Sequence, residues 1–139
     1  MQNKGMMLLS FEIRETGTVE HGMVNFYYTE NSVMGSATIE SFIYDVWYFN
    51  RLFLHRQLRN RGIGTALIRK VVAFCKENGI TLFTGINPYG DLNYELLKQF
   101  YLKNGFSVGT REDMLVILKE GDSFKRLQSV LESVGGAGA

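Results

Sequence analysis

Apolar and polar positions change period several times along this chain, and each change marks an element. Residues 6–14 read as a strand, and Glu15-Thr16-Gly17-Thr18 supplies turn residues before a second strand over 23–29. That second strand carries Val24, Phe26, Tyr27 and Tyr28, side chains that suit a pleated surface. Glu30-Asn31-Ser32 is a further turn, and a third strand follows over 33–41, where Gly35 marks a bulge or a close backbone contact. The fourth strand, over 46–54, is long and aromatic and ends in Leu52-Phe53-Leu54. Four strands joined by short connections thus come first.

The period then lengthens. Ala66, Leu67, Val71, Val72 and Phe74 recur at roughly helical spacing, so a helix is expected from 62 to about 77, stopped by Asn78-Gly79. Residues 80–86 form a short, β-branched fifth strand. The order strand, helix, strand implies a right-handed crossover with strands four and five roughly parallel. Asn87-Pro88-Tyr89-Gly90 ends that strand with the single proline of the chain. A second helix opens at Asp91 or Asn93, presents Leu96, Leu97, Phe100 and Tyr101 on one side, and stops at Asn104-Gly105. Residues 106–109 and 114–118 read as a closing hairpin. Phe124, Leu127, Val130, Leu131 and Val134 make an amphipathic stripe, expected to pack on the domain and also a candidate element for a homodimer. The expected fold class is α+β, with a mixed, mostly antiparallel central sheet of about six to seven strands and two main helices. Residues 1–120 make one domain, 121–134 an added helix, and 135–139 a disordered tail.

Composition restricts the function classes. At 139 residues, with 45% apolar and 21% charged positions, the chain suits one globular core. A net charge of +1 gives no general argument for a nucleic-acid partner, so basicity that matters is local, in Arg51, Arg56, Arg59 and Arg61. The lone Cys75 falls on the apolar side of the first helix and reads as a buried structural thiol. No stretch approaches the ~20 apolar residues of a membrane helix, and 6–10 do not resemble a signal sequence, so a cytoplasmic protein is expected.

The candidate chemistry concentrates where strand four meets the first helix. Gln57-Leu58-Arg59-Asn60-Arg61-Gly62-Ile63-Gly64-Thr65 is a basic turn with two glycines that opens directly into a helix. A helix start presents backbone N–H groups without intrahelical partners on the positive end of the macrodipole, and phosphate is its usual ligand. Gly62 and Gly64 let the backbone approach closely, while Arg59 and Arg61 add charge and directional donors. Thr65-Ala66 fails the spacing of a nucleotide-hydrolase phosphate loop, and two glycines after antiparallel strands fail a dinucleotide fold.

The turn Arg59-x-x-Gly62-x-Gly64, preceded by Leu52-Phe53-Leu54 and followed by Tyr101-Leu102-Lys103-Asn104-Gly105-Phe106, resembles the GNAT superfamily of acyl-coenzyme A-dependent N-acyltransferases. The likeness covers about residues 6–119 and rests on these two motifs in this order. It implies a three-layer fold whose sheet splays between strands four and five, and transfer of an acetyl group from acetyl-CoA to a primary amine without a metal or a covalent acyl-enzyme. It further implies that backbone amides of Arg59, Asn60, Arg61, Gly62, Ile63, Gly64 and Thr65 hold the pyrophosphate. The main chain of Phe53 and Leu54 would pair with the pantetheine arm, and the Leu54 N–H would polarise the acetyl carbonyl. Tyr101 matches the general acid that protonates the leaving thiolate; otherwise it is a packed helix aromatic.

Asn93 is either a pantetheine contact or a helix cap. The general base is left among Glu40, Asp45 and His55. Only a hairpin turn separates the first two strands, where relatives carry one or two helices walling the acceptor site, so an open acceptor side is expected. That openness favours a macromolecular amine, such as a protein lysine or terminal amine, over a small one. The competing reading is a non-catalytic coenzyme A-binding protein that acts through protein–protein contact.

Overall fold

The computed structural model describes residues 11–43, 45–85, 93–109 and 114–117, together with Lys125 and Ser129, both helical and exposed. The expected C-terminal stripe, the tail and residues 6–10 of the expected first strand lie outside the described residues. Seven strands form one sheet in the order β1-β2-β3-β4-β5-β7-β6. They are β1 (Arg14–Thr18), β2 (Met23–Glu30), β3 (Val33–Ile43), β4 (Val46–Leu54), β5 (Thr81–Gly85), β6 (Ser107–Val108) and β7 (Met114–Ile117). Helix α1 (Ile63–Glu77) joins β4 to β5, and α2 (Tyr94–Lys103) precedes β6. The arrangement is the mixed, mostly antiparallel α+β architecture expected from the sequence.

The first strand is a correction. Glu15-Thr16-Gly17-Thr18, expected as a turn, is part of β1 and pairs antiparallel with β2 from Arg14↔Tyr27 to Thr18↔Met23. The turn lies at Val19–Gly22 instead, closed by Gly22 N–H donating to Val19 O at 3.0 Å, with Gly22 at φ +76°. Gly17 has φ +95°, and a Cβ there would run into the Met23 carbonyl. Its turn-like character therefore serves a close approach within a strand pair.

β2 and β3 meet at Asn31 and Ser32, with φ of +50° and +68°. Two left-handed residues suit a tight hairpin whose twist matches its strands. Gly35 is a close contact, since a Cβ would come within 2.6 Å of Leu54 Cδ1. The bulge falls elsewhere: Thr38 pairs with Arg51 but Ile39 pairs with Phe49, so Asn50 is an extra residue in β4. β4 runs parallel to β5 for only three pairs, Val46↔Thr81 to Tyr48↔Phe83. From Phe49 to Leu54 β4 continues along β3 alone, which is the expected fork.

Both helices cover one face of the sheet. Leu67, Ile68, Val71, Val72 and Cys75 of α1 pack with Val24, Phe26, Ala37, Ile39, Phe49 and Leu82, and Tyr101 and Phe106 join the same cluster from the α2 end. Burying these side chains removes apolar surface from water at about 25 cal/mol per Å², the main favourable contribution to the fold. Burial pushes the Cys75 thiol up to about 12, which fits a structural thiol. A smaller cluster of Val46, Phe83 and Val116, with Ile43 and Tyr48, occupies the opposite, outer face. Among the described residues no helix is long and apolar enough to cross a membrane.

Candidate active site

After Leu54 the chain makes one 3₁₀ turn, Arg56–Leu58, before the basic loop. His55 caps this turn: its Nδ1 accepts from Gln57 N–H at 3.1 Å, while Leu58 N–H donates to His55 O at 2.8 Å. Leu58 is buried and roots the loop in the core. Arg59 is extended, Asn60 has φ +62° and Gly62 has φ +88°. Asparagine and glycine are the residues that tolerate this left-handed region.

Helix α1 then starts with Gly62 as its N-cap, no side-chain cap bond and no acidic residue in its first turn. Its first internal bond of the turn is Ala66 N–H to Gly62 O at 3.0 Å, so the amides of Ile63, Gly64 and Thr65 precede the hydrogen-bonded ladder. Helix α2 is built the other way, with Asn93 Oδ1 accepting from Glu95 N–H at 2.8 Å and Leu96 N–H at 3.2 Å, and Glu95 in its first turn. The contrast matters chemically. α2 satisfies its own start, whereas α1 presents donors and a positive dipole end to an outside anion. A Cβ on Gly64 would meet nothing closer than 3.7 Å, so this residue leaves a shallow hollow beside Leu54 and Phe100.

The two arginines of the loop take roles that the sequence does not disclose. Arg61 grips Glu30 with both ends of its guanidinium, Nη1 to Oε2 at 2.7 Å and Nη2 to Oε1 at 2.8 Å. Tyr28 Oη donates to the same Oε1 at 2.7 Å. The Arg61 hydrogen bonds, and then that of Tyr28, hold the Glu30 carboxyl at about 2. The same contacts raise the Arg61 guanidinium and the Tyr28 phenol above their ordinary values. Arg59 turns back on the strand, its Nε donating to Leu54 O at 3.1 Å. Arg61 is thus met by a carboxylate within the protein, a departure from the expectation of an added charge for phosphate.

At the fork, main-chain direction separates Phe53 from Leu54. His55 N–H donates to Met34 O, which makes 34↔55 a hydrogen-bonded pair, 35↔54 a non-bonded one and 36↔53 bonded again. The N–H and C=O of Leu54 consequently face away from β3, towards the gap, and those of Phe53 face β3. Tyr101 is only 5% exposed and sits among the rings of Phe49, Phe100 and Phe106, at centroid distances of 5.9, 5.8 and 5.1 Å. Glu40 lies next to buried Ile39 and so points to the outer face, in register with Tyr48 and Met23. Asp45 precedes β4, and its carbonyl accepts from Thr81 N–H at 3.0 Å. The structure therefore sets Tyr101 beside Phe49 where the fork opens and Leu54 with the loop at the far end of β4, puts Glu40 on the outer face, and uses His55 and Asn93 as caps. Among the described residues no group of three or more His, Cys, Asp or Glu side chains is placed to hold a metal ion.

Comparison with known proteins agrees with this geometry. The model of the acetyltransferase (GNAT) domain matches residues 20–108, more than half of the chain. Streptothricin acetyltransferase A of Bacillus subtilis strain 168 is 32% identical over 100 residues, covering 69% of this chain and 54% of that protein. The chain thus spans about half the length of this curated relative. Among solved structures, a GNAT-family acetyltransferase from Staphylococcus aureus Mu50 superposes with a TM-score of 0.55 at 19% identity, covering 71% of this chain and 69% of that one. PaiA N-acetyltransferase from Thermoplasma acidophilum, solved in complex with coenzyme A, superposes with a TM-score of 0.52 at 20% identity, covering 68% and 58%. These two likenesses show the fold.

Proposed function

We propose that this chain, which belongs to the GNAT acetyltransferase family, moves an acetyl group from acetyl-CoA to a primary amine by direct attack within a ternary complex. The observation that carries the reading is the start of α1: uncapped, free of acids in its first turn, and entered through Asn60 and Gly62 in left-handed conformations. Amides from Asn60 to Thr65 hold the pyrophosphate there, the Arg59 N–H being given to Arg56 O at 3.2 Å, and the gap beyond Tyr48↔Phe83 takes the pantetheine arm. Bound acetyl-CoA supplies the activated thioester. Leu54, five residues along β4 from Phe49 and its ring neighbour Tyr101, gives its main-chain N–H to the pantetheine arm. The Leu54 N–H faces away from β3, while the Leu54 carbonyl accepts from Arg59 Nε at 3.1 Å.

An ammonium has no lone pair, so the acceptor must lose a proton before its nitrogen attacks the carbonyl carbon. As the C–N bond forms and the C–S bond breaks, Tyr101 gives its phenolic proton to the sulfur. For an amine that enters from the outer face, opposite Tyr101, Glu40 takes the proton through water. His55 is the weaker base, because an imidazole accepting at Nδ1 carries its proton on Nε2 when neutral.

The acceptor in this proposal is a macromolecular amine, such as a protein lysine or a terminal amine. Its support is the four-residue connection Val19–Gly22 between β1 and β2, which puts no helix between these two strands. One finding favours a small amine instead: the relative at 32% identity is named for acetylating streptothricin. Release of coenzyme A thiol from acetyl-CoA, measured against peptides, polyamines, streptothricin and aminated nucleosides, decides. Turnover with lysine peptides is the expected result; turnover with streptothricin or polyamines alone replaces the acceptor, and no turnover despite tight coenzyme binding favours a non-catalytic role.

A further inference from the structure

We propose that Glu30 and Tyr28 are positioning residues for the coenzyme turn, acting through Arg61, whose side chain is a strut rather than a phosphate ligand. This rests on the placement of the coenzyme on the Arg59–Thr65 loop and deepens it.

Arg61 stands between two residues in left-handed conformations, Asn60 at φ +62° and Gly62 at φ +88°. Its own side chain is what ties the middle of the loop to the rest of the fold, through a bidentate pair to a residue 31 positions earlier. Glu30 ends β2, beside the Asn31-Ser32 hairpin, and Tyr28 fixes the carboxylate from two residues away. Paired guanidinium and carboxylate forks are the directional, charge-assisted kind of contact, and here a third donor orients the acceptor. At the other end of the loop Arg59 Nε is bonded to Leu54 O. The loop is thus tied to β4 at Arg59 and to β2 at Arg61, with the α1 amides beyond both ties.

A phosphate ligand could draw Arg61 away only by leaving the Glu30 carboxylate unpaired next to a polyanion. The Arg61 hydrogen bonds are the largest cause of the lowered Glu30 carboxyl, so drawing Arg61 away would give up the contact that most favours the charged carboxylate. With Arg61 held on Glu30, the pair is neutral and the anion meets the backbone donors at the start of α1. The sequence hides this arrangement because Glu30 reads as a turn residue and Arg61 as a phosphate-binding cation.

The test compares calorimetric binding of coenzyme A, and amide hydrogen exchange without ligand, in the wild type, Glu30→Gln, Arg61→Met and the double variant. Tyr28→Phe keeps the test open should an Arg61 variant fold poorly. The proposal expects each single variant to weaken coenzyme A binding about tenfold, the double variant to be no worse than either, and Tyr28→Phe to weaken it about threefold. It also expects faster exchange at residues 59–65 in Glu30→Gln, with β3 and the interior of α1 unchanged. Tighter binding in Glu30→Gln would mean that Arg61 is a phosphate ligand restrained by Glu30, and additive losses would mean that the two act separately; either overturns the proposal. Unchanged binding and exchange in Glu30→Gln overturns it too. A wild type that binds no coenzyme A removes the site itself and with it this inference, an outcome distinct from all the others.

Discussion

The ring of Tyr101 stands 5.9 Å from that of Phe49, the first residue of β4 beyond its ladder with β5. Helix α2 thereby delivers its one fully packed aromatic to the point where the sheet opens. Removing only the phenolic oxygen leaves that packing in place. Tyr101→Phe should lower turnover about 10²-fold, within the range for loss of a general acid, while coenzyme A affinity stays within about twofold. Steady-state kinetics with calorimetry checks this; unchanged turnover removes the phenol from the mechanism.

Gly62 and Gly64 do different work, and alanine separates them. At Gly62, with φ +88°, any Cβ is strained, and Gly62→Ala should cost about 1–2 kcal/mol of stability. At Gly64 the nearest atoms to a new Cβ are at 3.7 Å in ordinary contact, and the residue is helical. Gly64→Ala should therefore stabilise by about 0.5–1 kcal/mol. Denaturant unfolding of the two variants gives opposite shifts if this holds.

The Glu30 carboxyl, at about 2 against an ordinary 4.5, makes a pH prediction of definite sign. A lowered carboxylate value contributes stability fully above the unfolded value and loses it as pH falls through the folded value. The difference in melting temperature between the wild type and Glu30→Gln should be constant above about pH 5 and close between about 4.5 and 2. A gap that closes between pH 6 and 8 would assign the effect to another group.

Glu40 and His55 are separable by substitution. Glu40→Gln should lower kcat/KM at neutral pH by about 10² and flatten its acid limb. His55→Ala should leave that limb alone and cost about 1 kcal/mol of stability through loss of the 3₁₀ cap. The opposite pair of results would make His55 the base.

Most of the fold was legible because local signals agreed with the tertiary result. β2 and β4, the α1 boundary at Asn78-Gly79 and the Asn93 start of α2 all fall within a few residues of their expected positions. β1 was misplaced because Thr-Gly-Thr carries turn chemistry, while the structure uses its glycine for a close approach to Met23. The Asn50 bulge left no local mark, since it is set by how β3 and β4 register against each other. Of the candidate site, the glycine-entered, uncapped start of α1 is legible in Gly62 and Gly64. The Tyr28–Glu30–Arg61 contacts could not, because nothing in a basic turn announces a carboxylate 31 residues upstream.

The central claim is that the first turn of α1 holds the coenzyme A pyrophosphate. Gly64→Glu tests it most directly, because a carboxylate there brings bulk and like charge to the amides of Ile63, Gly64 and Thr65. Titration calorimetry of coenzyme A should show binding to the wild type and none to a folded Gly64→Glu variant. Wild-type affinity in that variant would contradict the placement.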